Sequence, residues 1–180
     1  NPTSVKNLQD GYLPSEENAP LREAEYKPWE VSRAGCYGCG IQCLHRYNKP
    51  VGRHGEIKAE GMHANSVRGF GSNLGVKDPE DVLMMHYLCN EYGLDVDGVS
   101  AVVAFALECA EHGILETSQA EGVKLQWGDG ASLVKLVEQI GERRALGKLL
   151  GEGVHVAAQE IGLGSQEFAM ITKKVGINEG

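Results

Sequence analysis

Hydrophobic residues recur at helical spacing in the second half of the chain and predict a helix between Asp78 and Gly93. Val82, Met85 and Leu88 follow at three-residue intervals, which places them on one face of a helix. Asp78 is a residue type that caps helix N-termini, and the proline after it suits the first helical position. Gly93 suits a C-terminal cap. The sequence therefore sets both ends of this helix.

Further helices are predicted beyond Gly93. The nearly continuous apolar stretch over about 96–112 is typical of a buried helix, and residues 132–144 carry one apolar face. Two shorter helical patterns occupy about 146–150 and 153–161. Because alternating strand patterns are scarce and no repeat is present, we expect a mainly α fold, a multi-helix domain.

The first 73 residues lack the helical periodicity of the second half of the chain. Prolines interrupt a polar stretch over residues 1–35, which predicts an irregular, extended arm lying on other parts of a larger protein. The segment 36–73 is rich in glycine and holds most of the chemically interesting side chains. The N-terminus lacks a starting methionine and a signal-peptide pattern, so we expect a chain that starts within a longer protein or has been processed.

Composition and charge narrow the classes of function. The formal charge of the 180 residues is −8, from 25 acidic and 17 basic side chains, and no basic stripe with aromatic residues is present. An acidic domain repels phosphate backbones, so no nucleic-acid partner is expected. The longest apolar run, 99–110, contains Ser100 and Glu108 and is too short to span a membrane.

Three cysteines lie within eight residues as a C-x2-C-x3-C array, Cys36, Cys39 and Cys43. Five cysteines so distributed make a poor disulfide framework and a good metal site, which indicates a reducing, cytoplasmic location. The spacing favours an iron–sulfur cluster in a Gly/Cys-rich metal-binding loop, with one ligand missing. Zinc bound by the three thiols and His45, and a loop without metal, remain alternatives.

The run from Ala34 to Cys43 resembles the cluster-binding segment of the aldehyde ferredoxin oxidoreductase family. Further stretches resemble the same family in the same order: 7–11 before the cysteines, then 71–75, 88–95, 103–108 and 147–154. The resemblance therefore covers nearly the whole chain.

The resemblance implies a three-domain oxidoreductase, of which this chain supplies the first helical domain. Residues 1–35 would then form the arm and residues 36–165 the helical cluster- and pterin-binding domain. Residues 166–180 would begin a second helical domain. The resemblance also implies a [4Fe-4S] cluster whose fourth cysteine lies beyond Gly180, and a tungsten or molybdenum bis-pterin cofactor. An aldehyde or related oxo compound would be the substrate. Ferredoxin or an iron–sulfur partner subunit would take the electrons.

The family's pterin-binding loop corresponds to the stretch from Asn90 to Asp95. Gly93 and Leu94 match the family pattern, whereas Asn90 stands where the family has its first aspartate. The resemblance therefore implies that Asn90, Gly93, Leu94 and Asp95 bind the pterin, with an altered contact at Asn90.

An acidic residue after the cysteines faces the substrate in this family, and Glu60 and His63 are the nearest equivalents here. Either could remove a proton from a hydrated aldehyde. The family's acidic-aromatic-acidic triplet is not intact, which also allows structural roles for both residues or a different substrate. The alternative to an enzyme is a zinc-stabilised helical interaction module without catalytic activity.

Overall fold

The computed structural model describes residues 2–177, so residue 1 of the predicted arm and residues 178–180 of the predicted second domain lie outside the described residues. The α-helices are α1 Glu23–Tyr26, α2 Ala64–Phe70, α3 Pro79–Tyr92, α4 Val96–Glu111, α5 Gly130–Glu142, α6 Ala145–Leu150 and α7 Val154–Ile161. The strands are β1 Pro2–Val5, β2 Asp10–Tyr12, β3 Glu30–Ala34, β4 Leu44–Gly52, β5 Gly55–Met62, β6 Ile171–Thr172 and β7 Val175–Gly176.

The helices predicted from periodicity are confirmed, and α3 shows why its ends were predictable. The carboxylate of Asp78 accepts a hydrogen bond from the Glu80 amide at 2.8 Å and caps the N-terminus. Gly93 adopts φ 66°, the left-handed conformation that glycine reaches without steric cost, and ends the helix.

Helix α4 forms the centre of the core. All of its residues from Val99 to Cys109 are buried, and it contacts α2, α5, α6 and α7. Helix α5 packs on α3 and α6, so the helices surround α4 and cover its nearly continuous apolar surface. Among the described helices, none has the length and apolar composition needed to cross a membrane.

A three-stranded antiparallel sheet, in the order β3-β4-β5, occupies the segment for which no strands were predicted. Tyr47 on β4 pairs with Ala59 on β5, and β5 packs on α3. Ile57 and Ala59 point into the core, but the next inward residue on β4 after Tyr47 is the buried Lys49. The strand pattern is weak in sequence because so few of the inward positions are apolar.

The tip of the β4–β5 hairpin is tied to the first turn of α3 by charged side chains. Asp81, buried in the interface, accepts from Arg53 and from His54 Nε2, each at 2.6 Å. Lys49 Nζ lies 3.0 Å from the Glu80 carboxylate. These contacts fix the sheet against the helical core.

The N-terminal arm is more ordered than predicted, because β1 and β2 form a hairpin that packs on the core. Its turn places Lys6, Asn7 and Leu8 at positive φ values of 47°, 56° and 65°. The Asn7 side chain is buried and donates to Glu108 Oε2 at 2.5 Å and to the Phe168 carbonyl at 2.8 Å. These contacts hold the strained turn against α4.

Candidate functional site

The three clustered cysteines lie in the loop between β3 and β4. Cys36, Cys39 and Cys43 are exposed free thiols. The Cys39 amide donates to the Cys36 carbonyl at 3.0 Å, and the Ile41 amide donates to Cys39 Sγ at 3.4 Å. Amide donation to a cysteine sulfur stabilises a thiolate and tunes an iron–sulfur cluster.

Glycine is required at two positions of this loop. A Cβ on Gly35 would lie 2.9 Å from the Ile41 carbonyl oxygen and 3.0 Å from that of Cys39. Gly38 adopts φ 72°, which side chains disfavour. Close packing of the backbone thus requires glycine at position 35, and the positive φ favours glycine at position 38.

The donor chemistry of the loop fits an iron–sulfur cluster, since the three exposed thiols could supply three of its four ligands and the Ile41 amide donates to one of these sulfurs. Within residues 2–177, no group of three His, Cys, Asp or Glu side chains is gathered closely enough to hold a metal ion. His45, the fourth ligand of the zinc alternative, lies on β4 with its Nδ1 3.6 Å from Glu30 Oε2. Its ring stacks on Tyr47.

The other two cysteines are buried core residues. Burial raises the pKa of the Cys89 and Cys109 thiols to about 12, with a smaller contribution from the nearby carboxylates of Asp95 and Glu108 respectively. A protonated, inaccessible thiol is a poor metal ligand. Both cysteines therefore serve as small apolar residues of the core.

The predicted pterin loop forms the turn between α3 and α4. The amides of Gly93 and Leu94 donate to the carbonyls of Asn90 and Cys89, at 3.2 and 2.8 Å, and close the end of α3. Asp95 is exposed, and its Oδ2 accepts from the Gly98 amide at 2.7 Å, which caps α4. An exposed turn with a fixed carboxylate fits a pterin N–H group, although the Gly93 and Leu94 amides are already used within the turn.

The two predicted catalytic residues stand at the end of β5 and the start of α2. Glu60 is exposed, and its Oε1 accepts from Arg46 Nη2 at 3.0 Å. His63 caps α2, because its Nδ1 accepts from the Asn65 amide at 3.3 Å. The two side chains thus have separate partners.

A buried histidine that the sequence analysis did not identify holds the backbone at Glu60. His86 Nε2 donates to the Glu60 carbonyl at 2.9 Å, and the Asn90 side-chain amide donates to the same oxygen at 2.5 Å. Ser66 Oγ lies 3.1 Å from His86 Nδ1. These contacts join the predicted pterin loop to the predicted catalytic strand. The sequence signal for this pair was the four-residue spacing of His86 and Asn90, which places both side chains on one face of a helix.

Titration of His86 is expected to make the protein less stable in mild acid. Burial lowers its pKa from the ordinary 6.5, with a further contribution from repulsion by His63, whereas the contact with Glu60 raises it. The unfolded chain therefore binds the proton first as pH falls below about 6.5, and the free energy of unfolding decreases by on the order of 1 kcal/mol. Urea unfolding of the protein and its His86→Gln variant between pH 7 and pH 5 measures this. Equal pH slopes for the two proteins would exclude His86 as the source.

Comparison with known proteins identifies the family. A sequence model described as aldehyde ferredoxin oxidoreductase, domains 2 and 3, matches residues 2–179. The chain belongs to the aldehyde ferredoxin oxidoreductase family. The resemblance inferred from the cysteine loop and the later motifs is therefore confirmed.

Individual relatives support the same family assignment. The chain is 31% identical to a tungsten-containing aldehyde ferredoxin oxidoreductase of Pyrococcus furiosus, over 95% of this chain and 27% of the relative. It is 30% identical to the WOR-like subunit of an aliphatic sulfonate oxidoreductase from the same organism, over 96% of this chain and 28% of the relative. The chain thus spans about a quarter of the length of these relatives.

A solved structure shows the same fold. The active-site complex BamBC of benzoyl coenzyme A reductase, determined with 1,5-dienoyl-CoA, matches with a TM-score of 0.77. The match covers 98% of this chain and 26% of that chain at 23% identity. The family is one of oxidoreductases, and its named relatives include tungsten-containing enzymes.

Proposed function

We propose that this chain is the part of an oxidoreductase that binds a [4Fe-4S] cluster through Cys36, Cys39 and Cys43, in an enzyme that oxidises aldehydes or related oxo compounds. The observation that supports it most is the loop of three exposed thiols, one of them receiving the Ile41 amide, in a chain of this family. When bound, a tungsten or molybdenum bis-pterin would supply two-electron oxidation chemistry, and the cluster would supply a one-electron route to ferredoxin or an iron–sulfur partner subunit.

The chain's own residues would position and stabilise these groups. The cysteines supply three sulfur ligands, and the fourth would come from another part of the longer protein. Asp95 would accept a hydrogen bond from a pterin N–H, with Asn90, Gly93 and Leu94 forming the turn that presents it. The proposal also includes domain boundaries near residues 35 and 165 and a cytoplasmic location.

Glu60 would act as the proton acceptor for a hydrated aldehyde, with His63 nearby in the chain as a second candidate. A carboxylate can perform this step if it is held at a fixed position beside the substrate. The contacts of His86 and Asn90 with the Glu60 carbonyl provide such a support, at the backbone rather than at the carboxylate.

A second substrate class also has support. One relative at 30% identity is named an aliphatic sulfonate oxidoreductase, and the acidic triplet typical of the family is altered here around Glu60. The family match favours both of these oxidoreductase functions over a zinc-stabilised interaction module.

Metal analysis of the full-length protein, purified without oxygen, tests the proposed function. We expect about four iron and four sulfide per chain, with tungsten or molybdenum and a broad visible absorption that bleaches on reduction. Stoichiometric zinc without iron would contradict the proposal and favour the interaction module.

Replacing Glu60 with glutamine is expected to lower kcat for aldehyde oxidation by about 100-fold or more, because glutamine cannot accept the proton. Glu56→Gln is the matched control, since Glu56 is exposed on the same strand and pairs with Lys58. Dye-coupled turnover and iron content are measured for both variants. Equal activities of the two variants, with full iron content, would remove Glu60 from the mechanism.

A further inference from the structure

A β-bulge interrupts β5 directly after Glu60. Arg46 on β4 lies opposite Glu60 in the ladder. Its neighbour His45 lies opposite Met62, so one residue of β5, Gly61, is extra. Gly61 adopts φ +85°, a conformation that favours glycine. An extra glycine in this conformation is typical of one form of β-bulge, and bulges are frequent beside active sites, where they redirect a side chain.

The bulge also changes which face of the sheet the next side chain reaches. Ile57 and Ala59 are buried, and strict alternation would bury residue 61 next. Instead Met62, at 1% exposure, is the next buried side chain, while Glu60 stays exposed. Without the extra residue, Met62 would point outward beside Glu60. The buried Met62 side chain therefore fixes one end of the bulge.

Helix α3 fixes the other end of the bulge. The peptide between Glu60 and Gly61 carries the Glu60 carbonyl. This oxygen accepts from His86 Nε2 at 2.9 Å and from Asn90 Nδ2 at 2.5 Å. The φ angle of Gly61 sets the orientation of this peptide relative to Met62. A side chain at position 61 would disfavour φ +85°, and the backbone could relax only by moving the carbonyl from its donors or Met62 from the core.

The Glu60 carboxylate lies on the outward face of the sheet. Because Arg46 stands opposite on β4, both side chains project from the same face, and Glu60 Oε1 accepts from Arg46 Nη2 at 3.0 Å. The side chains of Arg46 and Glu60 are 45% and 61% exposed, and an ion pair so open to solvent holds its partners only weakly. The well-fixed part of Glu60 is thus its backbone, which the bulge holds.

We propose that Gly61 is a positioning residue, because the bulge that it permits holds the Glu60 backbone so that the carboxylate projects from the sheet in a fixed direction. This role rests on the proposed function of Glu60 as the proton acceptor. A proton acceptor works only within hydrogen-bond reach of the proton that it removes. A small rotation of its backbone therefore lowers the rate of the step more than it weakens substrate binding.

Gly61→Ala in the full-length enzyme with its cofactors tests this role. We expect kcat for aldehyde oxidation to fall at least about tenfold, with less than about a threefold change in KM, since alanine disfavours φ +85° and turns the Glu60 backbone. Gly55→Ala is the matched control. Gly55 begins the same strand, has φ +82° and, like Gly61, leaves an added Cβ with no atom within 4 Å. Because it lies at the opposite end of β5 from Glu60, this variant should keep normal kcat and KM.

A second pair of variants, Gly61→Asn and Gly55→Asn, repeats the comparison with a milder change. Asparagine enters the left-handed region more readily than alanine, so we expect a smaller loss of kcat at position 61 and none at position 55. This pair decides the question if Gly61→Ala folds poorly. Hydrogen exchange of residues 56–63, followed by mass spectrometry without substrate, should be faster in Gly61→Ala than in Gly61→Asn.

Glu60→Gln shows whether Gly61 acts through Glu60. Adding Gly61→Ala to Glu60→Gln should lower kcat no further, because the carboxylate that the bulge positions is already absent. Equal kcat at positions 61 and 55 in both pairs of variants, or a full further loss in the double variant, would overturn the positioning role alone. Normal kcat in Glu60→Gln would instead overturn the proposed role of Glu60, and the positioning role with it.

Discussion

Full-length protein carrying Cys39→Ser is expected to lose nearly all of its cluster iron and sulfide, together with ferredoxin- or dye-linked activity. Serine is a hard oxygen ligand with a high pKa and replaces a thiolate poorly at iron. Cys39 is also the cysteine whose sulfur receives the Ile41 amide, so the substitution removes a ligand and the acceptor of a hydrogen bond. Iron and sulfide analysis with the visible spectrum measures the loss.

Cys109→Ala provides the comparison for this result. Its thiol is buried in α4 with a pKa of about 12, so the variant should retain its iron and lose only some stability. Full iron content in Cys39→Ser, or loss of iron in Cys109→Ala in a folded protein, would refute the assignment of the cluster to the β3–β4 loop.

Gly147→Ala is expected to destabilise the helical core by about 3 kcal/mol or to prevent folding. A Cβ at this position of α6 would overlap the backbone of Gln139 and Ile140 in α5. Backbone atoms within a helix cannot move aside as a flexible side chain can, so α5 and α6 would have to separate. Urea unfolding followed by far-UV circular dichroism measures the change.

Gly11→Ala is the control for this substitution. A Cβ on Gly11 meets no atom within 4 Å, and its φ is not positive, so an alanine there should leave stability nearly unchanged. Equal unfolding midpoints for Gly147→Ala and Gly11→Ala would show that the α5–α6 contact is less close than described.

The helical part of the fold was predictable because its signals are local. Asp78 and Gly93 mark the ends of α3, and the apolar run of α4 reflects burial on all sides. The sheet was missed because β5 offers only Ile57 and Ala59 as alternating apolar residues, and the inward face of β4 includes Lys49. Lys49 is placed inward by its ion pair with Glu80, which no local pattern reveals.

The same contrast between local sequence signals and contacts made by the fold applies to the candidate site. The cysteine loop could be proposed as a site from spacing alone, because its three candidate ligands lie within eight residues of the chain. The hydrogen bonds from His86 and Asn90 to Glu60 could not be predicted from the sequence. They are accepted by a backbone carbonyl, a group that every residue type carries.

The buried contacts of Asn7 also set an order of assembly. Asn7 is separated by 101 residues from Glu108 and by 161 residues from Phe168, the two residues that accept from its side chain. During synthesis the contact with Glu108 cannot form until 101 further residues have been made, and the contact with Phe168 requires 161. Closing so long a loop also costs more chain entropy than closing the short loops of the helical core. The turn at residues 6–8 is thus made before the residues that it contacts and is completed only after them.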